Sequence, residues 1–146
     1  MVVVFFGHAD FIGSRSIEEK IHSYLHEIIG QEYAEFYFGG YGAFDAFAFS
    51  CVKKFQQVNK KAKTFFITLY ITESYQRNHL PELSKRYDGV LYPPLEHIPY
   101  KWAISRRNQW MIEQADVVIV YIRHDFGGAW QAYQLALKKG KTILAL

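Results

Sequence analysis

At 146 residues the chain has the length of one domain, roughly 100–200 residues, and its 50% apolar and 18% aromatic content exclude a disordered segment. Its longest apolar runs, residues 1–6 and 117–122, fall far short of the roughly 18 residues of a membrane span. With 17 basic and 14 acidic residues the net charge of +3 is too small to define a partner, and the single cysteine, Cys51, excludes an intrachain disulfide or a cysteine-rich zinc site.

The elements follow from the period of the apolar residues, two for a strand and 3.6 for a helix. Residues 2–6 predict the first strand, which runs into Gly7-His8-Ala9-Asp10 with no basic leader ahead of it. The start therefore reads as a strand and turn rather than a secretion signal, and with the lone cysteine it sets the expectation of a reducing cytoplasm. Ile17, Ile21, Leu25 and Ile28 mark the first helix, capped by Ser16 and stopped by Gly30. A strand at 34–38 precedes a helix at 41–57, and a strand at 64–71 precedes a short helix near 81–86. Strands at 89–92, 117–122 and 142–146 alternate with helices at 102–114 and 129–139. This alternation implies an α/β fold, a doubly wound parallel sheet of Rossmann-like type with helices on both faces, formed by residues 1–146 as a single domain.

In an open parallel sheet a ligand binds beyond the carboxyl ends of the strands, so a site belongs in the strand-to-helix turns. Three of these begin with glycine after an apolar strand: Gly7, Gly39-Gly40-Tyr41-Gly42 and Gly127-Gly128. Glycine lets backbone N–H groups close on an anion, and the following helix turns its positive end toward it. Gly40-x-Gly42 carries only the first two glycines of the dinucleotide fingerprint, and at any single turn a tight connection explains the glycine as well as a ligand does. Phe38-Gly39-Gly40 and Phe126-Gly127-Gly128 nevertheless repeat one another. The lysines sort elsewhere: Lys53, Lys54, Lys60, Lys61 and Lys63 lie where the second helix ends and the next strand starts, and Lys138, Lys139 and Lys141 at the same place in the last unit, on the opposite edge of the sheet. Setting those eight aside leaves nine basic against 14 acidic residues, so no nucleic-acid surface is expected.

Other features have plainer readings beside the functional ones. His22 and His26 have the i, i+4 spacing of a metal pair but no acidic third ligand fixed beside them, so no metal or cofactor is expected. Cys51, among Phe47, Phe49 and Phe55, reads as a small core or interface residue. The helix that carries them is apolar nearly all round, which predicts burial against the sheet on one side and a second subunit on the other, a homodimer. The segment from Tyr92 to Pro99 holds three of the four prolines and reads as a rigid connection, or as a lid in which Tyr92, Tyr100 or Trp102 stacks on a base. Arg106 and Arg107 are about 100° apart on a helix, so at most one of them points into the crevice.

Two stretches carry a resemblance. Val3-Val4-Phe5-Phe6-Gly7 with Phe36-Tyr37-Phe38-Gly39-Gly40-Tyr41-Gly42-Ala43-Phe44-Asp45 resembles the opening of the SLOG superfamily. Arg107-Asn108-Gln109-Trp110-Met111, Asp116-Val117-Val118-Ile119-Val120 and Gly127-Gly128 are similar to the Lonely-Guy pattern, an RKxxM helix leading into a strand and PGGxGTxxE. The superfamily joins the Lonely-Guy phosphoribohydrolases, the DNA-processing Smf/DprA proteins and several nucleotide-sensing domains, and the chain looks closest to a small branch rather than to the enzymes. The resemblance implies that the double glycines at 39–40 and 127–128 hold phosphate. It also implies that Arg107 pairs with phosphate or a ribosyl oxygen through its planar fork of donors. Gln134 stands where the enzymes have their glutamate, Gln131 where they have threonine and Trp130 where they have glycine; a neutral amide at 134 is no general base. Ala9 stands where near relatives often carry arginine, with Arg15 close in sequence.

The first reading is thus a module that binds a phosphorylated nucleotide or ADP-ribose-like metabolite, as a sensor or sequestering protein. Its site would be Gly7, His8, Gly39, Gly40, Tyr41, Gly42, Asp45, Arg107, Asn108, Gly127, Gly128 and Ala129. The alternative is an N-glycosidase, a phosphoribohydrolase of nucleoside monophosphates, in which Arg107 works with Asp45 or Asp125 as the replacement carboxylate, within about 3 Å of the reacting centre or its water. A third reading, a DNA-binding module like the Smf relatives, predicts steep salt dependence. The expected partner is a nucleotide or nucleotide-derived small molecule, with neither nucleic acid nor membrane.

Overall fold

The computed structural model describes residues 1–69 and 72–146. Among them β1 (Val2–Gly7), α1 (Arg15–Ile28), β2 (Ala34–Phe38), α2 (Ala43–Val58), β3 (Ala62–Ile67) and α3 (Glu73–Arg86) form the first half. The second half holds β4 (Gly89–Leu91), α4 (Tyr100–Gln114), β5 (Val117–Tyr121), α5 (Gly127–Lys138) and β6 (Thr142–Ala145). The six strands make one sheet in the order β4-β3-β2-β1-β5-β6, and every neighbouring pair is parallel. This is the doubly wound architecture implied by the alternation of strand and helix.

The strands read as continuous apolar runs because both faces are covered. Val3, Phe5, Phe36, Phe38, Val117 and Ile119 face α1 and α2, while Val4, Phe6, Tyr37, Val118 and Val120 face α4 and α5. Lys141, one of the lysines set aside, donates to the Ala115 carbonyl at 2.9 Å and the Glu113 carbonyl at 3.3 Å, which complements the negative end of α4. No helix among the described residues is long and apolar enough to cross a membrane.

Four details differ from the sequence reading. The cap of α1 is Ser14, whose Oγ accepts the Ile17 N–H at 3.2 Å; Ser16 lies inside the helix. Helix α3 is far longer than 81–86: Thr72 caps it and Pro81 sits within it, and no side chain of it is buried, so it leaves no apolar period to read. The strand expected at 64–71 is β3, shifted toward the N-terminus, and Tyr70 and Ile71 lie outside the described residues. The apolar girth of α2 is taken up within the chain: Phe44, Phe49 and Phe55 are buried, Phe47 packs on Phe11 with ring centroids 5.0 Å apart, and Phe49 on Tyr87 at 4.8 Å. That helix therefore gives no reason for a second subunit.

From β1 the order runs to β2, β3 and β4 on one side and to β5 and β6 on the other. Connections reverse between β1 and β5, and there the carboxyl ends of the strands open a crevice. Gly7 ends β1 at this point, and a Cβ on it would fall into the ring of the buried Phe44. Gly7→Ala is expected to destabilise the fold by about 1–3 kcal/mol in urea denaturation, as overpacking does; an unchanged midpoint would mean that Phe44 is free to move aside.

Candidate functional site

A cavity of about 480 Å³ lies beyond the carboxyl ends of β1, β2 and β5. Its walls are Gly7, His8, Ala9 and Asp10 after β1, Gly39, Tyr41 and Asp45 around the start of α2, Arg107 and Asn108 on α4, and Gly127, Gly128 and Ala129 opening α5. The residues expected to share one crevice are brought together, apart from Gly40, Gly42 and Asp125, which do not line it. His124, Phe126, Ile104 and Met111, with Phe5, Phe6 and Phe44 beneath, complete the wall and were not among the expected site residues.

Arg107 reaches the cavity because it continues the buried stripe of α4, in line with Ala103 and Met111 at i−4 and i+4, whereas Arg106 is exposed. It is 7% exposed. Its Nη1 donates to the Gly39 carbonyl at 3.2 Å, and a Cβ at Gly39 would stand 2.8 Å from its Nη2, so only glycine admits the guanidinium this close. Asp45, in the first turn of α2, accepts the Gly39 N–H at 3.2 Å and the Gly40 N–H at 3.1 Å. The amides of the double glycine at 39–40 thus hold an anion of the protein's own. Burial raises the Asp45 carboxyl to about 6, against the opposing pull of those two N–H groups, Arg107 and Arg86.

The start of α2 is closed from the other side as well. The Ala43 N–H donates to the Ala9 carbonyl at 3.2 Å, and a Cβ on Gly42 would approach Ala9 Cα to 3.1 Å. The small residue at position 9 is therefore part of a close packing of two turns. The third glycine turn is different. Gly127 has a positive φ of 88°, a Cβ on Gly127 or Gly128 would meet nothing within 4 Å, and no side chain caps α5 and no acid stands in its first turn. The first N–H groups of a helix have no partner within it. Of the three turns, this one leaves its positive end open to the cavity.

On the same side three rings form a ladder. His8, buried at 6% exposure, stacks on His124 with centroids 3.5 Å apart, and His124 on Phe126 at 4.0 Å. His8 Nε2 accepts the Arg123 N–H at 2.9 Å, which leaves the proton of the neutral ring on Nδ1. Burial, then His124 and Arg123, lower its pKa against the pull of Asp10. Phe126 is 65% exposed and Tyr41 81%. The ladder joins two turns distant in sequence, and only the pairing of Gly7 with Tyr121 brings them side by side.

Other candidates fall outside the cavity. Asp125 and Gln134 are exposed, and neither is in the wall. Tyr92, Tyr100 and Trp102 do not line it either, so 92–99 is a connection with Leu95 buried rather than a lid over this cavity. His22 lies 3.9 Å from Glu18, and His26 meets Phe55 edge-on.

Fold and cleft together describe a Rossmann-like α/β protein with its crevice at the point where the strand order reverses. Among solved structures the chain is similar to DNA processing protein A from Helicobacter pylori, with 18% identity and a TM-score of 0.64 over 99% of this chain and 64% of that one. It is also similar to DNA processing protein A from Streptococcus pneumoniae, with 17% identity and a TM-score of 0.61 over 98% of this chain and 49% of that one. The chain spans less than two thirds of either neighbour, and at these identities the likeness establishes the fold, which is that of the Smf/DprA members of the superfamily the sequence resembles. No family model matches the chain and no curated protein matches it in sequence. The Helicobacter pylori neighbour is described by its single-stranded DNA binding mode, which overturns the expectation of no nucleic acid. That expectation rested on the balance of basic and acidic residues, whereas single strands are also held by stacking on aromatic rings.

Proposed function

We propose that the cleft binds a phosphorylated nucleotide, free or as a unit of a single strand, and that residues 1–146 act as one nucleotide-binding unit of the sensor or sequestering kind. One observation carries the reading: the uncapped glycine start of α5 shares a cavity of about 480 Å³ with the buried Arg107. The phosphate belongs at the N–H groups of Gly127, Gly128 and Ala129, where backbone donors and the helix dipole favour an anion. The volume lies in the range of small-molecule pockets, roughly 300–1,000 Å³. The fold's DNA-binding neighbour supports the strand form of the same ligand chemistry.

Calorimetric titration with nucleoside monophosphates, ADP-ribose and an oligothymidylate tests this. Gly128→Glu is the decisive variant, because a Cβ there meets nothing within 4 Å while the side chain brings a negative charge to the start of α5 that competes with a phosphate. It is expected to weaken every binding ligand at least tenfold with an unchanged melting temperature; retained affinity would remove the phosphate from α5. Oligonucleotide binding that falls steeply with salt, beside weak binding of the monophosphates, would identify the strand as the ligand.

A second reading is favoured by Asp45, the one replacement carboxylate that lines the cavity, beside Arg107 and raised to about 6. A carboxyl near neutrality suits general acid–base work. If the protein is the N-glycosidase, free base accumulates from a nucleoside monophosphate and Asp45→Asn stops it; a monophosphate recovered intact removes that reading.

A further inference from the structure

We propose that the base of the nucleotide stacks on the outer face of Phe126, as the fourth ring of the ladder that begins at His8. This rests on the nucleotide reading above and adds where the base sits and how it is recognised. The ladder is anchored at its inner end, where His8 is buried and held by the Arg123 N–H. His124 lies nearly parallel to both neighbours, at 19° to His8 and 21° to Phe126, and its Nδ1–H donates to the Phe126 carbonyl at 3.2 Å. One face of Phe126 is therefore covered and its orientation fixed, yet the residue remains 65% exposed. The free area is the opposite face and the edge of a ring already held in place.

Two further facts point that face at a nucleotide. Phe126 is the residue immediately before Gly127 and Gly128, in extended conformation at the N-cap of α5, so base platform and phosphate seat are consecutive in the chain. His8, His124 and Phe126 all belong to the wall of the same cavity. A phenyl ring offers a π face and no hydrogen-bonding group, and every base has a π face to stack on it. The site consequently recognises an aromatic base without reading its edge, and the ligand class is nucleotides of either purine or pyrimidine type.

The test compares adenosine 5′-monophosphate, uridine 5′-monophosphate and ribose 5-phosphate by calorimetry on the intact chain, Phe126→Ala and Phe126→Tyr. Stacking should make adenosine monophosphate bind the unaltered protein tighter than ribose 5-phosphate by roughly 5- to 150-fold. Phe126→Ala is expected to erase that advantage while leaving ribose 5-phosphate unchanged, Phe126→Tyr to keep it, and the uridine ligand to lie within about tenfold of the adenosine one. Full adenosine monophosphate affinity in Phe126→Ala would overturn the proposal, as would an equal loss for ribose 5-phosphate, which would make Phe126 a prop for the phosphate seat. If only an oligothymidylate binds the unaltered protein, the loss in Phe126→Ala is read on that ligand and its absence overturns the proposal; if adenosine monophosphate, ribose 5-phosphate and the oligothymidylate all fail to bind, the nucleotide reading itself fails and takes this proposal with it.

Discussion

Replacing Arg107 by alanine is expected to cut the affinity for a nucleoside monophosphate by roughly 30- to several-thousand-fold, the equivalent of about 2–5 kcal/mol for a buried, hydrogen-bonded charge pair. The guanidinium is 7% exposed, so water screens it poorly, and it borders the same cavity as the open end of α5. An anion entering there meets a charge already desolvated and held in place, one Nη on the Gly39 carbonyl and the stem within the stripe of Ala103 and Met111. Arg107→Lys keeps the charge but loses the planar fork, and should restore only part of the affinity. Far-UV circular dichroism and the urea midpoint separate lost binding from lost fold. A folded Arg107→Ala protein that binds as tightly as its parent would remove Arg107 from the site under both functional readings.

How far the sequence could be read follows from which residues leave a period. Parallel strands covered on both faces are uninterrupted apolar runs, so β1, β2 and β5 are visible, and with them the turns at 7–10, 39–45 and 127–129 that build the crevice. Arg107 was marked by its pattern, and the structure places it on the buried stripe of α4. Helix α3 buries no side chain, so its first two turns were invisible and Pro81 looked like a start. Ser14 and Ser16 are equally good caps on paper; the hydrogen bond to Ile17 decides between them. The occupation of the Gly39-Gly40 amides could not be read, because a glycine pair and a first-turn acid each favour an anion site. Only the hydrogen bonds from the Gly39 and Gly40 N–H groups to the Asp45 carboxyl show that the anion is internal. The ring ladder needed β1 beside β5, since no local pattern links His8 to His124.

Asp45 should make the fold less stable as the pH rises from about 4 to about 6, the opposite of an ion-paired carboxylate. Its pKa goes from the ordinary 3.8 up to about 6 in the folded chain, chiefly through burial. Between those values the folded protein holds a proton that the unfolded chain has lost, so stability falls as pH climbs through the window. Below it both states are protonated and the cost vanishes; above it both are ionised and the cost is complete, roughly 2–3 kcal/mol at about 1.4 kcal/mol per pH unit. Asp88, held low by Thr64 and Gln56, pulls the other way, so the quantity to measure is the difference between the parent and Asp45→Asn in urea melts from pH 4 to 7. That difference should fall by roughly 2–3 kcal/mol in the parent's disfavour across the range; a flat or rising difference would mean that the carboxylate is comfortable where it sits. The groups facing Asp45 are Arg107, Arg86 and Tyr87, and burial pushes Tyr87 up to about 12, well above this window. A phosphate entering the cavity adds a negative charge near Asp45 and should drive it to take up a proton near pH 6.5. Calorimetry in two buffers of different ionisation enthalpy detects that uptake, and Asp45→Asn subtracts whatever the phosphate itself contributes. Proton uptake that survives in Asp45→Asn would belong to the ligand alone, and the carboxyl would then be a structural plug of the double-glycine turn, indifferent to what binds beside it.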